Sequence, residues 1–154
     1  MGTRSTIALE YADGTVEQVY CHWDGYLEHN GVLLSKYYSN PFILRDLIDL
    51  GDISSLKPTV GTKHNFSHFD TEMDQKEYDA LYGNMTTFYG RDRGEKGTDS
   101  KKFVDYENYV RCHQYEEYEY ILRKDGNWYV KQHDNDYELL APALAKCNVE
   151  ECVA

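Results

Sequence analysis

Apolar and polar residues alternate in two segments near the N-terminus, which is the pattern of a half-buried β-strand. These segments cover residues 5–11 and 16–21, and Asp13 and Gly14 lie between them. Two β-type segments on either side of an Asp-Gly pair form the strongest local signal for a hairpin. We therefore predict an N-terminal β-hairpin.

A similar pattern recurs towards the C-terminus. Residues 115–123 and 128–132 are rich in Tyr, Val, Ile and Trp, and Lys-Asp-Gly-Asn at residues 124–127 joins them. β-Branched and aromatic residues favour strands, and the glycine-containing tetrapeptide favours a tight turn. This segment predicts a second β-hairpin.

The central part of the chain has helical spacing instead. A helix is predicted from near Gly31, and a second helix over residues 42–50. Asn40 is suited to cap the second helix, and Pro41 to occupy its first position. Gly51 is suited to end this helix in a left-handed conformation.

Weaker patterns predict shorter elements. We expect a helix within residues 73–82, a strand at residues 85–89 and a short helix after Tyr137. Residues 57–72 are predicted to form a loop. Residues 90–102 are polar and contain glycine, so we predict a mobile loop that becomes ordered on binding.

Strands at both ends and helices between them predict an α+β fold. We expect an antiparallel sheet with N- and C-terminal β-hairpins and two or three helices on one face. A hydrophobic content of 41% is enough for one core, so residues 1–146 are predicted to form a single domain. Residues 147–154 are expected to be a frayed tail.

The composition restricts the class of partner. The chain has 27 acidic and 16 basic residues and a formal net charge of −11. This charge repels phosphates and anionic lipids, so we expect neither direct nucleic-acid binding nor membrane association. It permits a basic protein or a small phosphorylated ligand in a locally basic pocket. The 15 tyrosines favour sheet packing and interfaces, so a homo-oligomer is also compatible with the sequence.

The cysteines and histidines do not predict a metal site or a cofactor. Cys147 and Cys152 form a single pair without zinc-finger spacing. His64, His68 and Asp70 have the types of metal ligands, but the surrounding residues do not favour the helix that would bring the two histidines together. We expect an intracellular protein with free thiols, because no signal peptide and no long apolar segment is evident.

One seven-residue segment concentrates side chains with functional chemistry. Tyr-Cys-His-Trp-Asp-Gly-Tyr at residues 20–26 follows a predicted strand, where a scaffold can position binding residues. His22 and Asp24 would share one side of a strand and are weak candidates for a general base and its orienting carboxylate. Together with Trp23 and Tyr26 they are candidates for ligand binding. A purely structural turn is the alternative.

The predicted loop after residue 90 is locally basic. Arg91 and Arg93 flank an aspartate and precede a glycine, and two guanidinium groups can hold a phosphate or carboxylate. Arg4 would join them if the strands are neighbours. The alternative is a solvated loop in which the arginines pair with Asp92 and Glu95.

Carboxylates and tyrosines alternate in the predicted strand after residue 115. Glu117 and Glu119 would face one side, and Tyr118 and Tyr120 the other. A row of carboxylates can imitate the phosphates that a basic protein binds. We therefore predict that these four residues form a protein interface, which Asp134, Asp136 and Glu138 would extend. An ordinary amphipathic strand is the alternative.

Three sequence blocks together resemble a family of small uncharacterised proteins encoded by bacteriophages and prophages. They are Gly-Thr-Arg-Ser-Thr-Ile at residues 2–7, the segment at residues 20–26 and Gly-Arg-Asp-Arg-Gly-Glu at residues 90–95. The resemblance covers about two-thirds of the chain and brings no assigned activity. It implies a viral accessory protein that acts inside a bacterial cell, as proteins against host enzymes or defences do.

Two binding functions and one catalytic function follow. The first is a non-enzymatic protein that neutralises a host defence or nucleic-acid-handling factor through an acidic, tyrosine-rich surface. The second is a sponge for a small nucleotide signal, with Arg91 and Arg93 on the phosphate. The third is a small hydrolase based on His22 and Asp24, but no catalytic motif supports it, so we favour a protein without enzymatic activity.

Overall fold

The computed structural model describes residues 2–112 and 116–147 and has the α+β fold that the sequence predicts. The strands within these residues form one sheet. They are β1 (Ser5–Glu10), β2 (Val16–Cys21), β3 (Ile53–Ser55), β4 (Thr87–Phe88), β5 (Lys101–Phe103), β6 (Tyr118–Leu122), β7 (Trp128–Gln132) and β8 (Glu138–Leu139).

The two predicted hairpins lie side by side in the middle of the sheet. The strand order is β4-β3-β2-β1-β6-β7-β8, and β5 pairs with β2 beside β3. The β1–β2 and β6–β7 hairpins are antiparallel, whereas β1 and β6 are parallel. The sheet is therefore mixed and mostly antiparallel, because the second hairpin adds to the first one through a parallel contact.

The helices are short, and a π-helical turn at Leu27–Gly31 precedes the first of them. They are α1 (Val32–Tyr37), α2 (Pro41–Asp49), α3 (Gln75–Tyr82), α4 (Tyr89–Arg93), α5 (Tyr106–Cys112) and α6 (Leu140–Lys146).

The predicted ends of α2 are confirmed. The Asn40 side chain accepts a hydrogen bond from the backbone N–H of Phe42 at 2.9 Å, and Pro41 occupies the first position. Gly51 has a φ of 85°, the left-handed conformation in which a side chain would be strained.

Both faces of the sheet are covered. Ile7, Val19 and Tyr120 lie on the larger face, where α1, α2 and α6 pack. On the other face, Ala8 and Ile121 contact α5. The sequence predicts helices on one face only, because α5 begins in a polar, tyrosine-rich segment without a clear apolar stripe.

The prediction of a mobile loop at residues 90–102 is wrong at both ends of this segment. Helix α4 occupies its beginning, and β5 occupies its end because it pairs with the first half of β2. Residue 115, where the second predicted hairpin starts, lies outside the described residues, as do residues 148–154 of the predicted tail. Within the parts that the structure describes, no helix is long and apolar enough to span a membrane.

Candidate functional site

The residues 20–26 leave the sheet through a turn that is fixed by the N-terminal segment. β2 ends at Cys21, and the backbone N–H groups of His22 and Trp23 donate to the carbonyls of Ile53 and Ser54 at 3.0 and 3.1 Å. The N–H of Gly25 then donates to the carbonyl of Thr3 at 2.7 Å. Two of the three blocks that carry the phage resemblance are therefore in direct contact.

The expected pair of His22 and Asp24 does not form. Asp24 adopts a φ of 58°, which turns it out of the strand direction, so the two side chains do not share a side. The ring nitrogen Nδ1 of His22 lies 2.8 Å from the hydroxyl of Tyr20 instead. Burial and the neighbouring Asp24 carboxylate raise the pKa of Tyr26. The geometry therefore does not give His22 the orienting carboxylate that the sequence suggests in Asp24.

Trp23 is 42% exposed and does not pack in the core. Its ring makes an edge contact with His22, with 4.7 Å between the ring centroids. It also covers Gly2, where a Cβ atom would lie 3.0 Å from the indole. The exposed part of the ring is available for stacking on a ligand or a partner.

Arg91 is a structural residue and not a phosphate ligand. Its guanidinium donates to Asp92 Oδ1 at 3.0 Å and Oδ2 at 3.2 Å, to the carbonyls of Val60 and Thr86 at 3.0 and 2.9 Å, and to that of Gly61 at 3.2 Å. These bonds use all five N–H groups that an arginine has. The prediction that Arg91 holds a ligand is therefore wrong.

Arg93 points elsewhere. Its guanidinium lies 3.3 Å from a carboxylate oxygen of Glu95 and 5.0 Å from the centroid of the Phe66 ring. Its side chain is more than half exposed. Arg91 and Arg93 do not converge on one pocket, in contrast to the prediction.

Arg4 is the predicted ligand-binding arginine that remains available. It is exposed, and among residues 2–112 and 116–147 its guanidinium makes no hydrogen bond and no ion pair within 4.0 Å. It lies where two cavities meet, one with a volume of about 820 Å³ and one of about 360 Å³. We call these two cavities together the Arg4 cleft. The larger is lined by Arg4, Glu116, Glu117, Lys131, His133 and Asp134, and the smaller by Arg4, Gln18, Tyr20, Asp52, Gly97, Lys101 and Glu116.

The parallel pairing of β1 with β6 brings these residues together. Arg4 precedes β1 and Glu116 precedes β6, so both lie at the same end of the sheet, where the N–H of Tyr118 donates to the carbonyl of Arg4 at 3.3 Å. Residues of β2 complete the wall, because Tyr20 is the cross-strand neighbour of Thr6.

The electrostatics of the cleft couple its members. Burial raises the pKa of Glu116, and Arg4 partly offsets this effect. Burial also raises the pKa of Tyr20 to about 12, with Arg4 lowering and Glu116 raising it. Tyr20 is therefore a neutral hydrogen-bonding group at physiological pH, and the cleft offers a cation and a carboxylate within one polar environment.

Gln18 lies on the floor of the smaller cavity. It is 3% exposed, and its side-chain oxygen has no hydrogen-bond partner in the described part of the chain. A buried amide without its partner costs about 1–3 kcal/mol. This oxygen can accept a hydrogen bond from an N–H or O–H group of a bound ligand.

The predicted acidic, tyrosine-rich interface is wrong for two of its four residues. Glu119 and Tyr120 are both fully buried, because β6 lies between β1 and β7 and has covered faces on both sides. The hydroxyl of Tyr120 donates to the carbonyl of Gly25 at 2.6 Å. Tyr118 is half-buried against Tyr120, and Glu117 is exposed just before the strand.

The carboxylates expected to extend that interface do not form one row with it. Asp134 and Asp136 are exposed in the segment between β7 and β8. Glu138 lies in β8, with its carboxylate 4.0 Å from the ammonium of Lys146. An acidic surface remains, but it lies around the mouth of the Arg4 cleft and not along β6.

The histidine cluster has structural partners. His64 is buried, and its Nδ1 donates to the carbonyl of Thr62 at 2.8 Å. Asp70 accepts a hydrogen bond from the N–H of Ser67 at 3.3 Å in a single 3₁₀ turn, His68–Asp70. Within the described ranges, no group of three or more His, Cys, Asp or Glu side chains is arranged to hold a metal ion.

No family model, curated protein or solved structure matches this chain. The functional assignment therefore depends on the geometry of the Arg4 cleft and not on a relative of known activity.

Several residues of the cleft were not identified from the sequence. They come from three separate segments, which contribute Gln18, Lys101, and the neighbouring Lys131 and His133. One signal was available for Gln18, because a polar residue between the apolar positions of a strand lies on the opposite face. The others depend on long-range pairing, for which the sequence has no local signal.

Proposed function

We propose that the protein is a non-enzymatic binding protein that holds a small phosphorylated ligand in the Arg4 cleft. The observation that carries this proposal is the uncommitted guanidinium of Arg4 at the junction of two polar cavities. A planar guanidinium binds phosphate oxygens in a bidentate manner. Lys101 and Lys131 also line the walls, and the ammonium of Lys131 lies 3.6 Å from the buried carboxylate of Glu119.

The other polar groups favour a nucleotide over a simple anion. Glu116 and the side-chain oxygen of Gln18 accept hydrogen bonds, and a nucleobase supplies N–H donors in addition to its phosphate. The cavity volumes fall within the range of small-molecule sites, about 300–1,000 Å³. The exposed ring of Trp23 is not among the residues that line the two cavities.

The resemblance to phage proteins indicates where this binding activity would take place, namely inside a bacterial cell. A viral protein that sequesters a nucleotide signal in the bacterial cytoplasm needs affinity and no turnover. This agrees with a cleft in which Tyr20 has a high pKa and His22 is paired with Tyr20.

The test is isothermal titration calorimetry with a panel of nucleoside mono-, di- and cyclic phosphates and with inorganic phosphate. Arg4→Gln should weaken binding about tenfold or more, because it removes the charge but leaves a polar side chain. Arg93→Gln is the matched control. Arg93 is also exposed, but its side chain contacts Glu95 and Phe66, which do not line the cleft. Equal binding by Arg4→Gln and the unsubstituted protein would exclude this site.

Capture of a basic host protein is the second candidate function. It is favoured by the net charge of −11 and by the exposure of Glu117 and Asp134 at the mouth of the cleft. If it is correct, Glu117→Lys combined with Asp134→Lys should weaken a complex isolated from bacterial lysate and reduce its salt dependence. Arg4→Gln should then have little effect on that complex.

A further inference from the structure

A third cavity lies at the opposite end of the sheet from the Arg4 cleft. Its volume is about 290 Å³, and it lies between the start of α2, the turn after β1 and the turn after β6. Its lining includes Leu9 and Leu122, which form the last residue pair between the parallel strands β1 and β6. Because Arg4 precedes β1, the length of this strand separates the two sites. We call this cavity the Phe42 groove.

The floor and one wall of the groove are apolar. Leu9 and Leu122 are 3% and 2% exposed and form the floor, where the core reaches the surface. Phe42 is 75% exposed and lines the wall. The buried stripe of α2 consists of Leu44, Leu47 and Ile48, so packing of the helix does not require an aromatic residue at position 42.

The rim of the groove is positively charged in a protein that is strongly acidic overall. Arg45 is 60% exposed, and among the described residues its one ion pair is a long contact of 3.9 Å with Asp49. The ammonium of Lys124 has no ion pair within 4.0 Å among the residues that the structure describes. Glu10 also lines the groove, but Arg123 neutralises it with a contact of 3.0 Å.

We propose that the Phe42 groove binds a small amphipathic carboxylate. The apolar body of the ligand, an aromatic ring or a short acyl chain, packs between Phe42 and the floor formed by Leu9 and Leu122. Its carboxylate faces Arg45 and Lys124. The volume is at the lower end of ligand pockets, which favours a small molecule over a folded partner. The charge at the rim selects an anion against a neutral molecule of the same shape.

The test uses 4-phenylbutyrate and hexanoate as probes and 4-phenylbutanol as the neutral comparison. Titration of the ¹⁵N-labelled protein should shift the backbone amide signals of Leu9, Lys124 and Gly126 with the two carboxylates. The affinity for the alcohol should be lower by a factor of at least about five, since the alcohol lacks the charge. Equal affinity for the acid and the alcohol would overturn the assignment of the rim.

Variants separate the groove from a general surface effect. Phe42→Ala should weaken binding of 4-phenylbutyrate about tenfold, and Lys124→Gln should weaken it and reduce its salt dependence. Phe69→Ala is the control, because Phe69 is 85% exposed outside the groove. Unchanged binding by Phe42→Ala would contradict the proposal. If sedimentation showed a dimer that Phe42→Ala disrupts, the occupant of the groove would be a second copy of the chain and not a small ligand.

Discussion

Arg91 and Asp92 are neighbours in the chain and are joined by two hydrogen bonds, from Nε to Oδ1 at 3.0 Å and from Nη2 to Oδ2 at 3.2 Å. The carboxylate of Asp92 is fully buried, and it also accepts the backbone N–H groups of His64 and Phe88 at 3.0 and 2.8 Å. This pair therefore connects α4 to β4 and to the long loop before α3. The basic segment at residues 90–95, one of the three blocks that resemble phage proteins, therefore stabilises the fold.

Asp92→Ala should lower the free energy of unfolding by about 3 kcal/mol or more, because it leaves the largely buried Arg91 without its carboxylate and removes acceptors from two N–H groups. Urea denaturation followed by circular dichroism measures this change. Arg93→Ala is the comparison, and we expect a change of less than about 1 kcal/mol because its ion pair is exposed. A loss of similar size in both variants would contradict the structural role of Asp92.

Glu117 and Glu119 are two residues apart but should respond differently to charge reversal. Glu119 is fully buried, with Lys131 3.6 Å from its carboxylate, so Glu119→Lys places two cations together in the interior. We expect a loss of several kcal/mol in stability or failure to fold. Glu117→Lys should change stability by about 0.5 kcal/mol or less. Thermal melting of the two variants measures this difference. Similar melting temperatures would instead agree with the exposed interface that the sequence predicts.

Elements with local signals were predictable from the sequence. The two hairpins have glycine turns, and α2 has Asn40, Pro41 and Gly51 at its ends. These signals act within a few residues of each other, so they are visible in the printed chain. Helix α5 was missed because its amphipathic face is made largely of tyrosines, which also favour strands.

The candidate site was only partly predictable. Arg4 and Arg91 look equally available in the sequence, but Arg91 uses every donor and Arg4 uses none within the described structure. The difference depends on which backbone carbonyls surround each guanidinium. Burial of Glu119 likewise depends on the parallel contact between β1 and β6, which joins residues more than 100 positions apart.

Gly25 is a position where any side chain should destabilise the protein. A Cβ atom there would lie 2.7 Å from the Cβ of Ser5 and 2.8 Å from the carbonyl oxygen of Thr3. The N-terminal segment would have to move, and the hydrogen bond from Gly25 to Thr3 would be lost. We expect Gly25→Ala to cost about 2 kcal/mol or more in urea denaturation.

Gly90→Ala is the matched control for that substitution. Gly90 lies in α4, and its nearest neighbour would be the rotatable hydroxyl of Thr98 at 3.0 Å. Alanine also favours a helix over glycine by about 1 kcal/mol, so we expect little loss or a small gain. If Gly25→Ala were as stable as Gly90→Ala, the close contact between the two N-terminal blocks would be wrong.

Glu10 should make stability depend on pH in the acidic range. Burial acts to raise its pKa, but the hydrogen bond from Arg123 and the backbone N–H of Lys124 outweigh burial and hold the pKa below its ordinary value of 4.5. Ionised Glu10 therefore stabilises the folded state above the unfolded pKa, and this contribution is lost as the pH falls through the folded pKa. Glu10→Gln should be less stable than the unsubstituted protein at neutral pH, and the difference should shrink below about pH 4.5. Urea midpoints at neutral and acidic pH measure it, and a difference that is constant over this range would show that Glu10 does not carry the effect.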